Sequence, residues 1–405
     1  MERDDEIQVD GFEDVNHTPV VLKTKFFPWH KPRKQFIRVE QWNAAVSNLI
    51  TALRLEESGR NLEYLSLPGA DLLDVRALYP VCEGRKVRLK FTGLNHIPQQ
   101  EQEMLSDQLL SLGELRGLDY IDSASDVHLD RLESLSKDSS IAYQKVIKNK
   151  STYDVVNIDL CDTFLGYPPL DRQENYYNAL FKLLRHQAEN RDEDWLFFIT
   201  SRTNKDMVDP GTFRKFIDVL ESVFAVDEKV YQTFADSGVF SAECFAGRKF
   251  KEGSLDFVTH SNIIASGIGK WLLGALLDNS PAHSSKMLKS YLYDVSLKER
   301  CGDMFSLAFW CKKIPTPAKD PIGLAAGINL DKMPVDEHRS NAMCHVAKSI
   351  SQIVDVDAQL DNSANFQKYL DLSVELMRSA RYHPDEYSRW AIEQHSSVTA
   401  AIAAR

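Results

Sequence analysis

Cysteine is scarce and scattered: six residues, Cys82, Cys161, Cys244, Cys301, Cys311 and Cys344, with no CxxC pair among them. That spacing argues against a zinc cage and a disulfide framework, so reduced, mostly structural thiols are expected. No run of 18 apolar residues occurs. The most apolar stretch, residues 263–277, is interrupted by Ser266, Gly267, Gly269 and Lys270, so no bilayer-spanning segment is expected. The opening MERDDEIQVDGFED is acidic and lacks the basic and apolar parts of a signal peptide, which makes the cytoplasm the expected location. Also missing are a Walker loop, an HExxH pair, paired glycosidase acids and a Ser-His-Asp order; His260 beside Ser261 and Asn262 completes no triad.

What is present is ordinary globular material. The 405 residues are 43% hydrophobic and 26% charged, enough to bury a sizeable core, and 48 Lys+Arg against 59 Asp+Glu give a net charge of −11. The length suits two or three domains, or one large α/β domain with an appendix. Charge is unevenly placed. Residues 23–38, KTKFFPWHKPRKQFIR, hold six basic residues among Phe26, Phe27, Trp29 and Phe36. Such a segment suits a phosphate backbone or an acidic partner, with Lys31, Arg33, Lys34 and Arg38 as the contacting residues. The plainer reading is an arm docked on the main domain, its Lys and Arg stems covering aromatics.

Apolar periodicity predicts helix and strand in alternation. A helix over 39–55 leads to a strand at 62–67 that ends at Pro68-Gly69, after which Asp71 is placed to cap the next helix. Further strands are expected at 86–91, weakly near 119–121, at 153–160 and at 195–200, with helices at 99–112, 130–148 and 173–189. Asp209-Pro210 marks another helix start. The alternation predicts an α/β fold, a Rossmann-like doubly wound sheet, mostly parallel. Two strand-like segments, 287–295 and 304–312, then predict a C-terminal antiparallel hairpin. The chain is thus divided into an acidic N-terminus and basic arm (1–38), a sheet domain (39–313) and a helical C-terminal extension (335–405).

In such sheets ligands bind outside the carboxyl ends of the strands. Those ends carry Pro68, Gly69 and Asp71, then Asn95, then Asp159, Cys161 and Asp162, then Arg202. Asp159 and Asp162 could hold an amine, act as a base or join a divalent ion; equally, they could cap the next segment and bond backbone amides. Arg202 suits a phosphate, a carboxylate or a local ion pair. Cys161, between two acids, is expected to be a packed thiol rather than a nucleophile.

The helix, the αβ steps and the final hairpin over residues 40–313 resemble the layout of class I S-adenosylmethionine-dependent methyltransferases. YLSLPGADLLDVRAL stands where that family has its glycine-rich cofactor loop, and DVVNIDLCD where it has the strand-four acidic motif. The chain is also similar to divergent bacterial methyltransferase-like proteins that pair a KPRKQ-type segment with an NLDLCD-like strand, some of them associated with anti-phage defence islands. The resemblance implies S-adenosylmethionine contacts at Pro68, Gly69, Asp71, Asn95 and Asp159, and chemistry at Asp159 and Asp162. Pro68-Gly69 replaces the family's GxGxG, Asn95 replaces its ribose-binding acid, and the Pro-Pro-aromatic motif of amino-methyltransferases is missing after strand four. A degenerate cofactor site within a multi-subunit complex is therefore one expectation. The other is a catalytically inactive module that binds nucleic acid or protein through residues 23–38.

Overall fold

The computed structural model describes residues 22–167, 174–295, 302–315 and 334–403. The acidic N-terminus and most of the Pro- and Gly-containing loop at 315–334 lie outside them, as does Cys301. The strands are β1 (Leu62–Ser66), β2 (Leu89–Leu94), β3 (Asp126–His128), β4 (Val155–Asp159), β5 (Trp195–Arg202), β6 (Phe245–Ala246), β7 (Lys249–Phe250), β8 (His283–Met287), β9 (Tyr291–Tyr293), β10 (Met304–Lys313) and β11 (Val354–Asp355). Nine of them form one sheet in the order β11-β9-β10-β5-β4-β1-β2-β3, with β8 also paired to β10; β6 and β7 make a separate small hairpin.

The expected α/β, mostly parallel sheet is present. β3, β2, β1, β4 and β5 run parallel. β5 shows why such strands read as near-continuous apolar runs: Trp195, Phe197 and Ile199 enter one core, while Leu196 and Phe198 enter the other. Helices Tyr176–Asn190, Pro210–Val226 and Phe257–Leu277 contribute to the first core, and the helical stretch 32–52 with Leu73–Arg85 and Gln102–Arg116 to the second.

Several boundaries differ from expectation. The strand sought near 119–121 is reduced to a bridge between Leu89 and Ile121, and β3 lies later. The helix expected over 130–148 breaks into short turns. There Asp130 accepts from the Ala142 amide and Ser140 from the Tyr143 amide, so side chains compete with the helical ladder. The C-terminal hairpin is divided: β8 and β9 both pair antiparallel with β10, which in turn pairs antiparallel with β5. β11, from the C-terminal extension, adds a parallel strand to β9.

The extension packs onto the sheet domain. Val346 of the Val335–Ile350 helix sits against Gly269, where a Cβ would come within 3.1 Å of its methyls. Leu370, Leu376 and Met377 of the Ser363–Ser379 helix share a core with Leu73 and Ala77. Among the described residues no helix is long and apolar enough to cross a membrane.

Candidate functional site

The strand order reverses between β1 and β4, which places the ligand crevice of a doubly wound sheet at their carboxyl ends. The basic arm runs into this place. Pro32 opens a helix that continues to Ala52 through a wider-wound segment, Arg38–Asn43. Lys31, Lys34, Arg38 and Trp42 recur at spacings of three and four, so they share one helical face. The face turns inward, and Lys31, Arg33, Lys34 and Arg38 are all buried. The four residues expected on a surface for nucleic acid or an acidic partner are therefore enclosed, and for Arg33 and Lys34 acids distant in sequence, Asp357 and Asp159, supply the counter-charge.

Lys34 Nζ lies 2.5 Å from Asp159 Oδ1 and 3.3 Å from Tyr293 Oη, with the Trp42 ring centroid at 4.7 Å. Burial lowers the Lys34 pKa, opposed by the charge of Asp159. Arg33 pairs with Asp357 at 2.7 Å and donates to the Asp294 carbonyl. Lys31 reaches the Val295 carbonyl, and burial, with Arg33 second, lowers its pKa to about 8. Arg38 donates to the Trp29 carbonyl at 3.4 Å, and its Nε is buried without a hydrogen-bond partner. Burial lowers its pKa as well.

Beneath Arg38, Asn157 donates to Tyr64 Oη at 2.8 Å, and Tyr64 donates to Asp74 at 3.2 Å. Burial raises the pKa of both Asp74 and Tyr64. Asn157 Oδ1 and His30 Nε2 are also buried without partners. Burial, followed by the charges of Arg38 and Lys23, pushes the His30 pKa down to about 3.

The cofactor-loop residues are distributed unevenly around this crevice. Asp71 does not cap the following helix: the cap position falls to Leu72 in a left-handed conformation, and Asp71 instead binds Lys23 and accepts from Tyr382 Oη at 2.8 Å. Pro68 is buried against Gly93, where a Cβ would come within 2.7 Å of the proline ring. Gly69 is exposed, and a Cβ built on it meets nothing within 4 Å. Asn95 donates to Gln108 at 2.6 Å. Asp162 is exposed, and its carboxylate accepts from the Thr163 amide, the backbone-capping alternative. Cys161, expected to be packed, is exposed two residues past the end of β4. Arg202 pairs with the buried Asp303 at 3.3 Å, which is the ion-pair alternative.

Residues 26–30 and the last helix, Pro384–Ala403, pack together beside the arm. Tyr387 of the last helix donates to the His30 carbonyl at 2.5 Å, and Phe26 packs among Tyr382, Tyr387 and Trp390. Sequence reasoning missed His30, Trp42, Tyr64, Asn157 and Tyr293 as parts of this site. The continuation of the Lys31, Lys34, Arg38 spacing into Trp42 was the available signal for an inward face. Among the described residues no group of three or more His, Cys, Asp or Glu is placed to hold a metal ion.

The opposite, amino-terminal end of the strands has a cleft of about 310 Å³ lined by Arg60, Asn61, Glu63, Ser151, Thr152, Arg191 and Glu193. Its charges are paired: fully buried Asp154 takes Arg60 through two bonds and Arg191 at 2.6 Å.

Comparison with known proteins matches the family described as PP_RS20740-like over residues 23–392. The chain belongs to the PP_RS20740-like family. The match spans the arm, the sheet and the extension, the three parts that meet over the crevice. No curated protein matches.

Proposed function

We propose that this PP_RS20740-like protein is a methyltransferase-fold protein with a degenerate site for S-adenosylmethionine, or a related adenosyl nucleotide, between the ends of β1 and β4. The observation that carries the reading is the sheet: β3-β2-β1-β4-β5 follows the doubly wound nucleotide-binding order, and an antiparallel β10 lies beside β5. The residues present fit the amino-acid end of such a ligand. Arg38 Nε, His30 Nε2 and Asn157 Oδ1 are buried without hydrogen-bond partners, and they are complementary to a carboxylate and an ammonium. Arg38 would hold the carboxylate, Asn157 the ammonium, and the open face of Gly69 would admit the ligand's close approach. When bound, the cofactor supplies an electrophilic methyl group on a sulfonium. The chain's own part is to exclude water with the arm and to hold Lys34 and Asp159 in register at the end of β4.

Isothermal titration with S-adenosylmethionine and S-adenosylhomocysteine tests the reading. Micromolar binding is expected for the full chain, with at least a tenfold loss in Gly69→Val. Because a side chain at Gly69 meets no protein atom, the variant should fold as the parent does. Absence of heat from folded protein at millimolar ligand would sink the proposal.

A second reading, binding of single-stranded nucleic acid, rests on the outer part of the arm. Phe27 and Trp29 stack at 4.7 Å, Trp29 is 41% exposed, and Lys25 Nζ lies 5.3 Å from the Phe27 ring. This reading predicts oligonucleotide binding that weakens steeply with salt and is lost in Trp29→Ala; salt-insensitive binding would count against it.

A further inference from the structure

We propose that a small cavity between the arm and the C-terminal extension is a halide site, filled by chloride, that ties the two parts together through Lys31. The inference is independent of the adenosyl ligand. Lys31 and Arg33 line the cavity from the arm, with Leu360, Phe366, Gln394 and His395 from the extension. No acid lines it. His395 stacks on Phe366 at 3.9 Å and forms an aromatic wall.

Lys31, Arg33, Lys34 and Arg38 are all buried, but they are not equally neutralised. Arg33 has Asp357 at 2.7 Å and Lys34 has Asp159 at 2.5 Å, whereas Lys31 and Arg38 form no ion pair with a described acid. Of those two, only Lys31 borders the cavity. The acids whose charge reaches Lys31 are Asp357 and Asp303, and both are paired already, with Arg33 and with Arg202. The Lys31 ammonium carries several donors, and its described bond, to the Val295 carbonyl, is long at 3.4 Å. A buried cation so placed is costly without a counter-charge, and burial with the neighbouring Arg33 lowers its pKa to about 8. A bound anion accepts from the remaining donors and supplies that charge.

Size selects the class of anion. The cavity measures about 10 Å³ and is partly open to solvent, about the space that one water-sized sphere requires. A halide, a single atom slightly larger than water, fits with a small adjustment of the lining side chains; a phosphate or sulfate does not. Chloride accepts hydrogen bonds from any direction, which suits donors that come from separate elements. Apolar Leu360 and Phe366 limit the screening of the ion and Lys31 by water. The ion would therefore hold the arm against the last helix.

The test is thermal unfolding of the full chain at constant ionic strength, with isethionate replaced stepwise by chloride or by bromide. The expected result is a saturable rise in Tm with both halides. In Lys31→Met the midpoint of that rise should move to roughly tenfold higher halide or more, as for removal of one partner of a buried charge pair. Crystals grown in bromide locate the site without a variant, by an anomalous peak expected in the cavity within hydrogen-bond distance of Lys31 Nζ. That measurement decides the matter should Lys31→Met fail to fold. Equal Tm in chloride and isethionate would overturn the proposal. So would an unchanged halide midpoint in folded Lys31→Met, or bromide confined to exposed lysines and arginines, an adventitious ion only.

Discussion

Acidification from pH 7 to pH 4 is expected to destabilise the fold by roughly 3 kcal/mol through His30 alone, a value that follows from linkage. His30 is buried and its pKa is lowered to about 3, by burial first and then by Arg38 and Lys23; its ordinary value is 6.5. The unfolded chain therefore binds a proton that the folded chain refuses throughout the window from about 3 to 6.5. Stability is greatest above that window and falls as the pH descends through it. Asp71, with Oδ2 at 3.9 Å from Nε2, faces the ring, but Lys23 and Tyr382 already occupy its carboxylate. His30→Asn isolates the contribution, because an Asn carbonyl can accept from the Phe27 amide as Nδ1 does. Urea unfolding at both pH values should show a pH slope smaller by most of that amount in the variant. Equal slopes would mean that His30 is protonated in the folded protein.

Asp154→Ala is the second large effect, at about 3–5 kcal/mol of lost stability, the usual consequence of leaving a buried charge uncompensated. Asp154 is fully buried and serves Arg60, Arg191 and the Glu63 amide at once. Arg191 is 5% exposed and would keep only a 3.4 Å contact with the half-exposed Glu193 as a carboxylate partner. Arg60→Ala removes a more exposed partner and should cost about 1 kcal/mol or less. Chemical denaturation of the two variants decides the matter, and equal costs would show that the cluster acts as a surface network.

What the sequence made legible was local. Asp209-Pro210 marked a helix start, and Asp209 does accept from the Thr212 amide. The strand runs of β4 and β5 stood out because strands buried on both faces carry few polar interruptions. The division of the hairpin at Leu288–Ser290 did not show, since it depends on both pieces pairing with β10. β11 did not show either, because two residues from the extension carry no strand pattern of their own.

At the site, the same distinction separates what was found from what was missed. Asp159 was legible as a strand-end acid. Its partner was not, because Lys34 stands 125 residues away in a segment whose six cations suited an external partner or a docked surface arm. Asp357, which neutralises Arg33, lies in the C-terminal extension. Asp71 looked like a cap by spacing alone. It is diverted by Tyr382, 311 residues further on, and by a left-handed Leu72 at φ 51°. Long-range charge pairing, absent from any local pattern, turned the arm inward and closed the crevice.

The central claim is that the crevice between β1 and β4, beneath the arm, receives the adenosyl ligand. Hydrogen–deuterium exchange of the full chain with and without saturating S-adenosylhomocysteine tests it most directly. The account predicts added protection in residues 30–42, 66–74 and 157–162, with little change around Arg60 and Arg191. Ligand binding accompanied by protection elsewhere, and none in those three segments, would contradict it.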